Sequence, residues 1–508
     1  MYARRSTAIA TALALATSLL VVGLAPGVAS ASSCPVPGVV SDFNGDGTSD
    51  VAIGEPGLFH VLYGKYGQLQ ATSPNDQLID APSGGSTWFG MTMVTGDFNN
   101  DGCGDLAVGD YSADAVGDVV VYFGSTSGLR TTPHILTDGH GSGVGGGFLF
   151  GDALAAGDIN DDGRDDLVVG EPTGNAIYVF LGTSTGISTT PHEYAEGVDG
   201  VPGGPGGLDG QDQFSDAIAV GDFTGDGHAD VAIGAPYADN EQGRVYVLRG
   251  GTTSAPLSTT GAQTWSQNSA GVPGVAENGD FFGWSLAAGD FSGNRRDDLA
   301  IGVPSEKLGS VPDAGVVDVL PSGGKAGLTG SDAQQIDQTQ SGMPGPPQSG
   351  GEFGNVLCAA DFNGDTDVDL AIGESYGAVN GHPQAGFVVV TYGTNEGLST
   401  DFAQQFSQDS PGVGGGAEAN DAFGTALAAV QVTNVNVFDL VVSSPYEQVS
   451  NGPGAAGMIQ LLPGEPGSGL TGDGSEEWYE DSPGVAGTGC YACWFGMSLG
   501  ARSSSEQL

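Results

Sequence analysis

Short apolar runs alternate with turns rich in glycine and aspartate along most of the chain. In one representative stretch the runs predict four strands, at 150–159, 166–170, 176–181 and 192–195. The third run is apolar at successive positions, which is typical of strands covered on both faces by neighbouring layers. No segment keeps a helical period. The pattern therefore predicts an all-β fold built from short strands.

The strands belong to a repeat in which a nine-residue loop rich in aspartate runs into a short apolar strand, as in DFNGDGTSDVAIG at 42–54. Six copies begin at Asp42, Asp97, Asp158, Asp222, Asp290 and Asp361. A seventh, decayed copy begins at Gln431. A second marker, a phenylalanine usually followed by glycine, lies eight residues before the later copies, at Phe89, Phe150, Phe214, Phe282, Phe353 and Phe423. Phe495 opens a further partial copy.

Repeats of this length indicate a propeller or a solenoid rather than separate domains. Four short antiparallel strands repeated around a ring predict a seven-bladed β-propeller of four-stranded antiparallel blades, in which only short strand edges are left. A calcium-binding β-solenoid would repeat about every nine residues, and this period is absent. We predict one domain over 32–508, with repeats starting near 34, 89, 150, 214, 282, 353 and 423, and a partial copy from 495.

The loops carry oxygen side chains at positions 1, 3, 5 and 9, and position 7 offers a main-chain carbonyl. Calcium takes six to eight such oxygens at about 2.3–2.6 Å. Four loops are complete: Asp42, Asn44, Asp46, Thr48 and Asp50; Asp97, Asn99, Asp101, Cys103 and Asp105; Asp158, Asn160, Asp162, Arg164 and Asp166; Asp222, Thr224, Asp226, His228 and Asp230. We predict that Ca²⁺ binds these four loops and stabilises the blade to which each loop belongs.

Two further loops are weakened predicted calcium sites, with the ligands Asp290, Ser292, Asn294 and Asp298, and Asp361, Asn363, Asp365 and Asp369. Arg295 and Thr366 replace the glycine that makes the sharp turn at position 6 of the complete loops. The seventh loop presents Gln431, Thr433, Val435 and Val437, which supply too few oxygen ligands.

The net charge of the chain limits the classes of partner that we expect it to bind. The chain holds 61 acidic and 12 basic residues, with a net charge of −49. Nucleic acid binding requires clustered lysine and arginine, so nucleic acid and anionic membranes are excluded as expected partners. Arg4 and Arg5, an apolar run and Ala29-Ser30-Ala31 predict that residues 1–31 are a removed signal peptide. The arginine pair also allows a twin-arginine export route. We expect a freely secreted, extracellular monomer.

The five cysteines allow alternative pairings in an oxidising compartment. Cys34 stands where the first repeat lacks its marker phenylalanine, and Cys490 and Cys493 lie near the other end. A bond from Cys34 to Cys490 or Cys493 would close the ring, whereas a Cys490–Cys493 bond would be local. Cys103 and Cys358 are predicted to be unpaired.

The Phe-Gly marker, the aspartate loop and a final Gly-Ala-Pro, literal at Gly234-Ala235-Pro236, together resemble the FG-GAP repeat of the integrin α-subunit propeller. Bacterial secreted proteins and the propeller part of a phosphatidylinositol-glycan-specific phospholipase D are similar. The resemblance covers nearly all of the chain after residue 31. It implies a ligand face opposite the calcium loops, but the inserted and leg domains of integrins are lacking, so a receptor role is not implied.

Aromatic residues recur on this expected ligand face, where Tyr111, Tyr237, Tyr376 and Tyr446 follow the second strand of their repeats. They predict stacking sites for sugars, or else packing against the turn. We expect a non-catalytic binding or adhesion module for glycan or protein, with a lectin-like character. The alternative is an extracellular hydrolase or lyase on polysaccharide or phosphodiester. No catalytic residue is predicted, because the G-x-S-x-G pattern at Ser184 lies in a hairpin without a following helix.

Overall fold

Each repeat folds into a four-stranded antiparallel sheet whose second strand is the apolar run after the aspartate loop. The computed structural model describes residues 34, 39, 41–65, 67–71, 76–82, 85–111, 113, 117–139, 149–203, 212–449, 456–486 and 493–500. In this part of the chain, no helix is long and apolar enough to cross a membrane. The predicted signal peptide lies outside the described residues.

Seven sheets form the blades, which we number from 1 to 7 in chain order. The strands of each blade are given from the axis outward, and blade 1 consists of Ser498–Gly500, Val51–Glu55, Leu58–Lys65 and Asp76–Asp80, with Gln68–Gln70 beside the third. The next three blades are Met93–Gly96, Asp105–Asp110, Asp118–Tyr122 and His134–Leu136 (blade 2); Leu154–Gly157, Asp166–Glu171, Ala176–Phe180 and His192–Ala195 (blade 3); and Ala217–Gly221, Asp230–Ala235, Arg244–Thr252 and Ala255–Trp265 (blade 4). The last three are Leu286–Gly289, Asp298–Val303, Val316–Leu320 and Gln334–Ile336 (blade 5); Val356–Ala360, Asp369–Glu374, Phe387–Tyr392 and Ser399–Phe406 (blade 6); and Leu427–Val430, Asp439–Ser444, Met458–Leu462 and Glu476–Trp478 (blade 7).

Smaller elements connect these strands. Short hairpins pair Gly182–Thr183 with Gly186–Ile187, and Gly464–Glu465 with Gly469–Leu470. A single helical turn spans Ala238–Glu241, and a 3₁₀ turn spans Pro172–Gly174. Ser184 lies in the first of these hairpins, as the sequence predicts.

The innermost strands contact one another in a closed ring, in which Ser498–Gly500 touches both Met93–Gly96 and Leu427–Val430. Between neighbouring blades lie seven hydrophobic clusters of described residues, one at each junction. The second strands are buried along their whole length. This explains why they are apolar on both faces, and the predicted seven-bladed propeller is confirmed.

The Phe-Gly marker and the Gly-Ala-Pro turn, or its equivalent, contact each other in every blade. The residue after each marker phenylalanine donates its N–H, at 2.8–3.2 Å, to the carbonyl of the Gly-Ala-Pro glycine or its equivalent: Gly90 to Gly109, Gly151 to Gly170, Ser215 to Gly234, Gly283 to Gly302, Gly354 to Gly373, Gly424 to Ser443 and Gly496 to Gly54. The marker phenylalanines are fully buried. A Cβ on Gly54 would lie 1.9 Å from the Gly90 oxygen, so this close approach requires glycine.

Blade 1 joins both ends of the described chain, because Ser498–Gly500 pairs with Val51–Glu55. Phe495 therefore supplies the marker that the first repeat lacks. The expectation that Cys34 occupies that place is wrong.

The predicted cysteine pairing also needs correction, since Cys34 forms a disulfide with Cys103, 69 residues away. Cys34 lies against the aspartate loop of blade 2, where its N–H donates to the Asp101 carbonyl at 2.8 Å. This proximity arises between neighbouring blades, which linear spacing does not reveal. Cys493 is also disulfide-bonded, and Cys490 lies outside the described residues. Cys358 is buried and free, as predicted.

Candidate metal-binding loops and the opposite face

The carboxylate at position 1 shapes each aspartate loop. In the first loop, Asp42 accepts hydrogen bonds from the N–H groups of Asp46 at 3.1 Å and Gly47 at 2.8 Å. The same pair of bonds from positions 5 and 6 recurs at Asp97, Asp158, Asp222, Asp290 and Asp361. The loop therefore wraps its main chain around the position 1 carboxylate in all six copies, and metal binding by the predicted ligands stays a prediction.

The seventh loop has replaced this arrangement with a neutral one. Gln431 stands at position 1, and its side-chain amide donates to the carbonyl of Val435 at 3.0 Å. An intraloop hydrogen bond thus lies where the other loops gather carboxylates. The loss of the seventh metal site stays a prediction, based on the side chains of this loop.

The aspartate at position 9 has a structural role that sequence reasoning missed. It accepts a main-chain N–H from the end of the third strand or from one of the first two residues after it, at 2.8–3.0 Å, in all seven blades: Gly64, Gly124, Gly182, Gly250, Ser322, Gly393 and Gly464. Asp439 keeps this bond in the seventh loop. The survival of Asp439 in a copy without the other ligands was the signal that could have revealed this role.

A belt of main-chain hydrogen bonds joins the loops of neighbouring blades. The N–H of position 8 donates to the position 1 carbonyl of the preceding loop, at 2.7–3.3 Å: Gly104 to Asp42, Asp165 to Asp97, Ala229 to Asp158, Asp297 to Asp222, Val368 to Asp290, Phe438 to Asp361 and Ser49 to Gln431. The bond from Ser49 closes the belt between blades 1 and 7. The aspartate loops are therefore contacts between blades as well as candidate metal sites.

Burial and the charges of neighbouring carboxylates raise the pKa of several loop carboxyls. Burial is the largest cause for Asp42, whose pKa is raised to about 6, and for Asp166 and Asp369, whose pKa values are raised to about 7 and about 8. Neighbouring loop carboxylates add to each shift. A bound cation would favour the ionised form of these groups.

The donor set fits a hard divalent cation such as Ca²⁺, because the side-chain ligands are oxygens. Two predicted ligand atoms, Asn160 Oδ1 and Asp230 Oδ2, are buried and accept no hydrogen bond. An unsatisfied buried oxygen is costly, and coordination would satisfy both atoms. The fit is best in the complete loops.

The two weakened loops differ from the complete loops at positions 5 and 6. Arg295 and Thr366 hold position 6 at φ values of 65° and 80°, in the left-handed region where the complete loops have glycine. Asn294 at position 5 donates its amide to Ser292 Oγ at 2.6 Å, which ties up a ligand oxygen. In the third loop, Arg164 pairs with Asp162 at 3.2 Å and competes for that carboxylate.

The opposite face carries exposed aromatic side chains at junctions between repeats. Tyr446 contacts Trp494 with ring centroids 6.2 Å apart, and Tyr111 contacts Trp88 at 5.4 Å. Tyr237 instead packs against Phe281 at 5.2 Å. Tyr376 is 46 % exposed and Trp88 is 47 % exposed.

The structure therefore pairs three of the four predicted tyrosines with aromatic partners that the sequence analysis did not single out. Trp88, Phe281 and Trp494 each immediately precede a marker phenylalanine. That constant position was the signal that could have found them.

Two carboxylates on this face were also missed. Asp152 and Asp216 each lie two residues after a marker phenylalanine. Burial raises the pKa of Asp152 to about 6, and burial together with the Asp152 charge raises the pKa of Asp216 to about 7. Burial and the Asp152 charge raise the pKa of Tyr111 to about 12. The two acids and the tyrosine therefore share one electrostatic environment.

Comparison with known proteins shows what the chain is similar to. A model of the FG-GAP repeat matches residues 150–187, 214–248, 282–320 and 353–391, and an FG-GAP-like repeat model matches 42–108. Integrin alpha pat-2 of Caenorhabditis briggsae is 29 % identical over 275 residues, which cover 50 % of this chain and 21 % of the relative. Phosphatidylinositol-glycan-specific phospholipase D of Homo sapiens is 31 % identical over 197 residues, which cover 34 % of this chain and 21 % of the relative.

Among solved structures, a lectin of Agrocybe aegerita that recognises non-reducing terminal N-acetylglucosamine superposes with a TM-score of 0.51. It is 14 % identical and covers 89 % of this chain and 94 % of the lectin chain, a likeness of fold alone. The chain spans about a fifth of the length of the curated relatives it matches. Its matched repeats, its propeller and its similarity to integrins identify it as an FG-GAP repeat protein that resembles the propeller of integrin α subunits.

Proposed function

We propose that this chain is a secreted, calcium-stabilised propeller that binds an extracellular ligand and performs no chemistry on it. The observation that carries the proposal is the set of exposed aromatic pairs, such as Tyr446 with Trp494, on the face opposite the aspartate loops. Exposed tryptophan and tyrosine are enriched where proteins recognise partners, because one side chain offers both an apolar surface and a polar atom.

Calcium has a stabilising role in this proposal. It binds the four complete loops and, more weakly, the loops that begin at Asp290 and Asp361. Each ion crosslinks the turn between the first and second strands of its blade. Because the belt of hydrogen bonds joins these loops to their neighbours, stabilising one loop also supports the next blade. An ion that binds only the folded state shifts the folding equilibrium towards it.

Secretion follows from the predicted signal at residues 1–31 and is supported by the Cys34–Cys103 disulfide. Disulfides persist mainly in oxidising compartments outside the cytosol. The proposed location is therefore extracellular.

Glycan is the ligand class we favour. Sugar rings present C–H faces that stack on aromatic side chains, and their hydroxyls donate to carboxylates. The face combines both, with Tyr111 and Trp88 near Asp152. The strongly negative chain favours neutral over acidic glycans, since like charges repel.

A glycan array tests the proposal with the protein in calcium and after calcium removal. We expect hits in calcium that Trp494→Ala reduces by at least tenfold in apparent affinity. Phe402 is 89 % exposed on the outer strand of blade 6, so Phe402→Ala is the matched control and should leave binding unchanged. A blank array with folded protein would contradict the glycan assignment, and a protein partner would then be sought on the same face.

The alternative, a hydrolase or lyase, is favoured by one observation, the raised pKa values of Asp152 and Asp216. A carboxyl whose pKa is raised towards neutrality can act as a general acid beside a second carboxyl. A screen of polysaccharides and phosphodiesters would decide it. Turnover that Asp216→Asn abolishes in a folded variant would replace the binding proposal.

A further inference from the structure

A cavity of about 450 Å³ lies between blades 6 and 7, on the face opposite the aspartate loops. Its walls come from the connection that carries His382 in blade 6, from the link after the outer strand of blade 6, and from the connection after Ser444 in blade 7. Met458 and Glu477, on the third and outer strands of blade 7, also line it. The volume lies in the range of small-molecule sites, about 300–1,000 Å³.

The side chains around this cavity make it strongly negative. Four carboxylates line it: Asp409, Glu418, Glu447 and Glu477. No lysine or arginine is among the described residues of the lining. The described lysine and arginine residues at this face are Arg244 and Lys307, which belong to blades 4 and 5. A cleft lined by charges of one sign raises the local concentration of a ligand of the opposite sign, so the cavity favours a cation.

A buried acceptor at the edge of the cavity lacks a donor. Gln408 is 3 % exposed and donates its amide N–H to Glu447 Oε2 at 2.5 Å. A Cβ on Gly415 would lie 2.9 Å from Gln408 Nε2, so this amide touches two residues of the cavity lining, Glu447 and Gly415. Gln408 Oε1 is buried and accepts no hydrogen bond from the described residues. Because an unsatisfied buried oxygen is costly, a ligand that donates to it would gain affinity.

The carboxylates are spread too widely to share one metal ion. Among the described residues, no three acidic, histidine or cysteine ligand atoms at this cavity lie within 4.8 Å of one another. The carboxylates nevertheless act on each other. Burial is the largest cause that raises the pKa of Glu447 to about 7, and the charges of Asp421, Glu418 and Glu477 add to it. An extended ligand with several donor groups therefore fits the cavity better than an ion does.

We propose that this cavity binds an amino sugar, a glycan unit whose free amino group is protonated. The inference rests on the proposed function and narrows its ligand from glycans in general to cationic glycans. The ammonium group donates charge-assisted hydrogen bonds to the carboxylates, and the sugar hydroxyls donate to the remaining oxygens. Tyr479 also lines the cavity and offers an aromatic ring to the C–H face of the sugar.

The balance of donors and acceptors favours a sugar over a basic peptide. A peptide brings one carbonyl acceptor for nearly every N–H donor. The four carboxylates only accept, and the lining side chains that can donate to a ligand are His382, Gln448 and Tyr479. Each hydroxyl of a sugar can donate. A cavity rich in acceptors therefore suits an amino sugar.

Titration calorimetry of the oxidised, calcium-loaded full-length protein tests the site with a glucosamine tetramer and its fully N-acetylated counterpart, in mildly acidic buffer that keeps the amines protonated. We expect the glucosamine tetramer to bind at least about tenfold more tightly, because charge-assisted hydrogen bonds are roughly twice as strong as neutral ones. For the same reason Glu477→Gln should weaken binding of the glucosamine tetramer by about tenfold. Glu477 is exposed, so this variant is expected to fold.

The matched control is Glu465→Gln, which removes the same charge from an exposed hairpin of blade 7 on the aspartate-loop face and should leave the affinity unchanged. Equal weakening in both variants would show attraction to net charge alone and would overturn the proposal. Equal affinity for the two tetramers would also overturn it. Tighter binding of a lysine tetrapeptide that Glu477→Gln weakens would assign the cavity to a basic peptide instead.

Failure of this inference and failure of the proposed function give different results. Neutral glycans that bind through Trp494, with no effect of Glu477→Gln on either tetramer, would leave the proposed function standing and overturn the amino-sugar site. Absence of binding to any glycan by the folded protein would contradict both.

Discussion

Position 6 of the aspartate loops shows how a single backbone angle acts at the residue scale. Gly47, Gly102, Gly163 and Gly227 hold it at φ values of 81–91°, and Arg295 and Thr366 adopt the same region without being glycine. A β-branched residue there is a genuine outlier. The sequence shows the missing glycine, but only the structure shows that the loop keeps its shape in spite of it.

Thr366→Gly is therefore expected to stabilise the protein. The left-handed conformation costs a non-glycine residue about 1–2 kcal/mol, and glycine returns about 0.5–1 kcal/mol of that in unfolded-state entropy. The net gain should be about 0.5–1 kcal/mol, with tighter calcium binding, measured by urea unfolding and calcium titration. Thr48→Gly, at position 7 of the first loop, is the control and should destabilise.

The raised pKa values of the loop carboxyls predict that the stability of the protein depends on pH without calcium, and much less so in saturating calcium. Without calcium, the folded-state pKa values of Asp42, Asp166 and Asp369 lie above the usual value of 3.8. The folded state then holds more protons than the unfolded state, so stability is present at low pH and is lost as pH rises through about 6 to 8. Melting temperatures in calcium-free buffer should fall over this range. In saturating calcium the fall should be much smaller, and equal falls in both buffers would contradict metal binding by these groups.

At the scale of elements, each blade is held by the position 9 aspartate as well as by its strand ladders. Asp439 is fully buried and accepts N–H groups from Val432, Thr433 and Gly464. It links the loop between the first two strands to the start of the connection after the third strand. This explains why position 9 persists where position 1 does not.

Asp439→Asn is expected to destabilise the protein by about 1–3 kcal/mol, whether or not calcium is present, because its amide faces buried N–H donors. Asp46→Asn gives the contrast. Position 5 is exposed, and among the described residues its carboxylate accepts the N–H of Thr48 alone, so this change should lower stability in calcium and leave the calcium-free protein unchanged. Thermal unfolding in both buffers measures the difference.

The disulfide also connects structural elements, because Cys34 and Cys103 link the segment before blade 1 to the aspartate loop of blade 2. Cys34→Ser is expected to lower the free energy of unfolding by up to about 4 kcal/mol, from the chain entropy of a 69-residue separation. The substitution does not remove the main-chain carbonyl of Cys103, which is a predicted calcium ligand of the second loop. Urea unfolding of the oxidised protein, compared with wild type before and after reduction, checks this. An unchanged midpoint would show that the bond does not constrain the unfolded chain.

At the scale of the whole molecule, closure of the ring depends on parts that are distant in sequence. The strand Ser498–Gly500, the marker Phe495 and the hydrogen bond from Ser49 to Gln431 all act between the ends of the chain. The ring therefore closes only when these distant segments pair with each other.

The repeat, the strands and the blade count could be predicted from the sequence alone, because a motif recurring in register imposes the same local hydrogen bonds and the same buried faces each time. The sequence also located the oxygen-rich loops, since their ligands are close along the chain. The Cys34–Cys103 bond, the belt between loops and the aromatic partners Trp88 and Trp494 became visible only in the packing of the blades. These contacts join residues of different repeats, and their proximity depends on how blades pack around the axis, which no local pattern encodes.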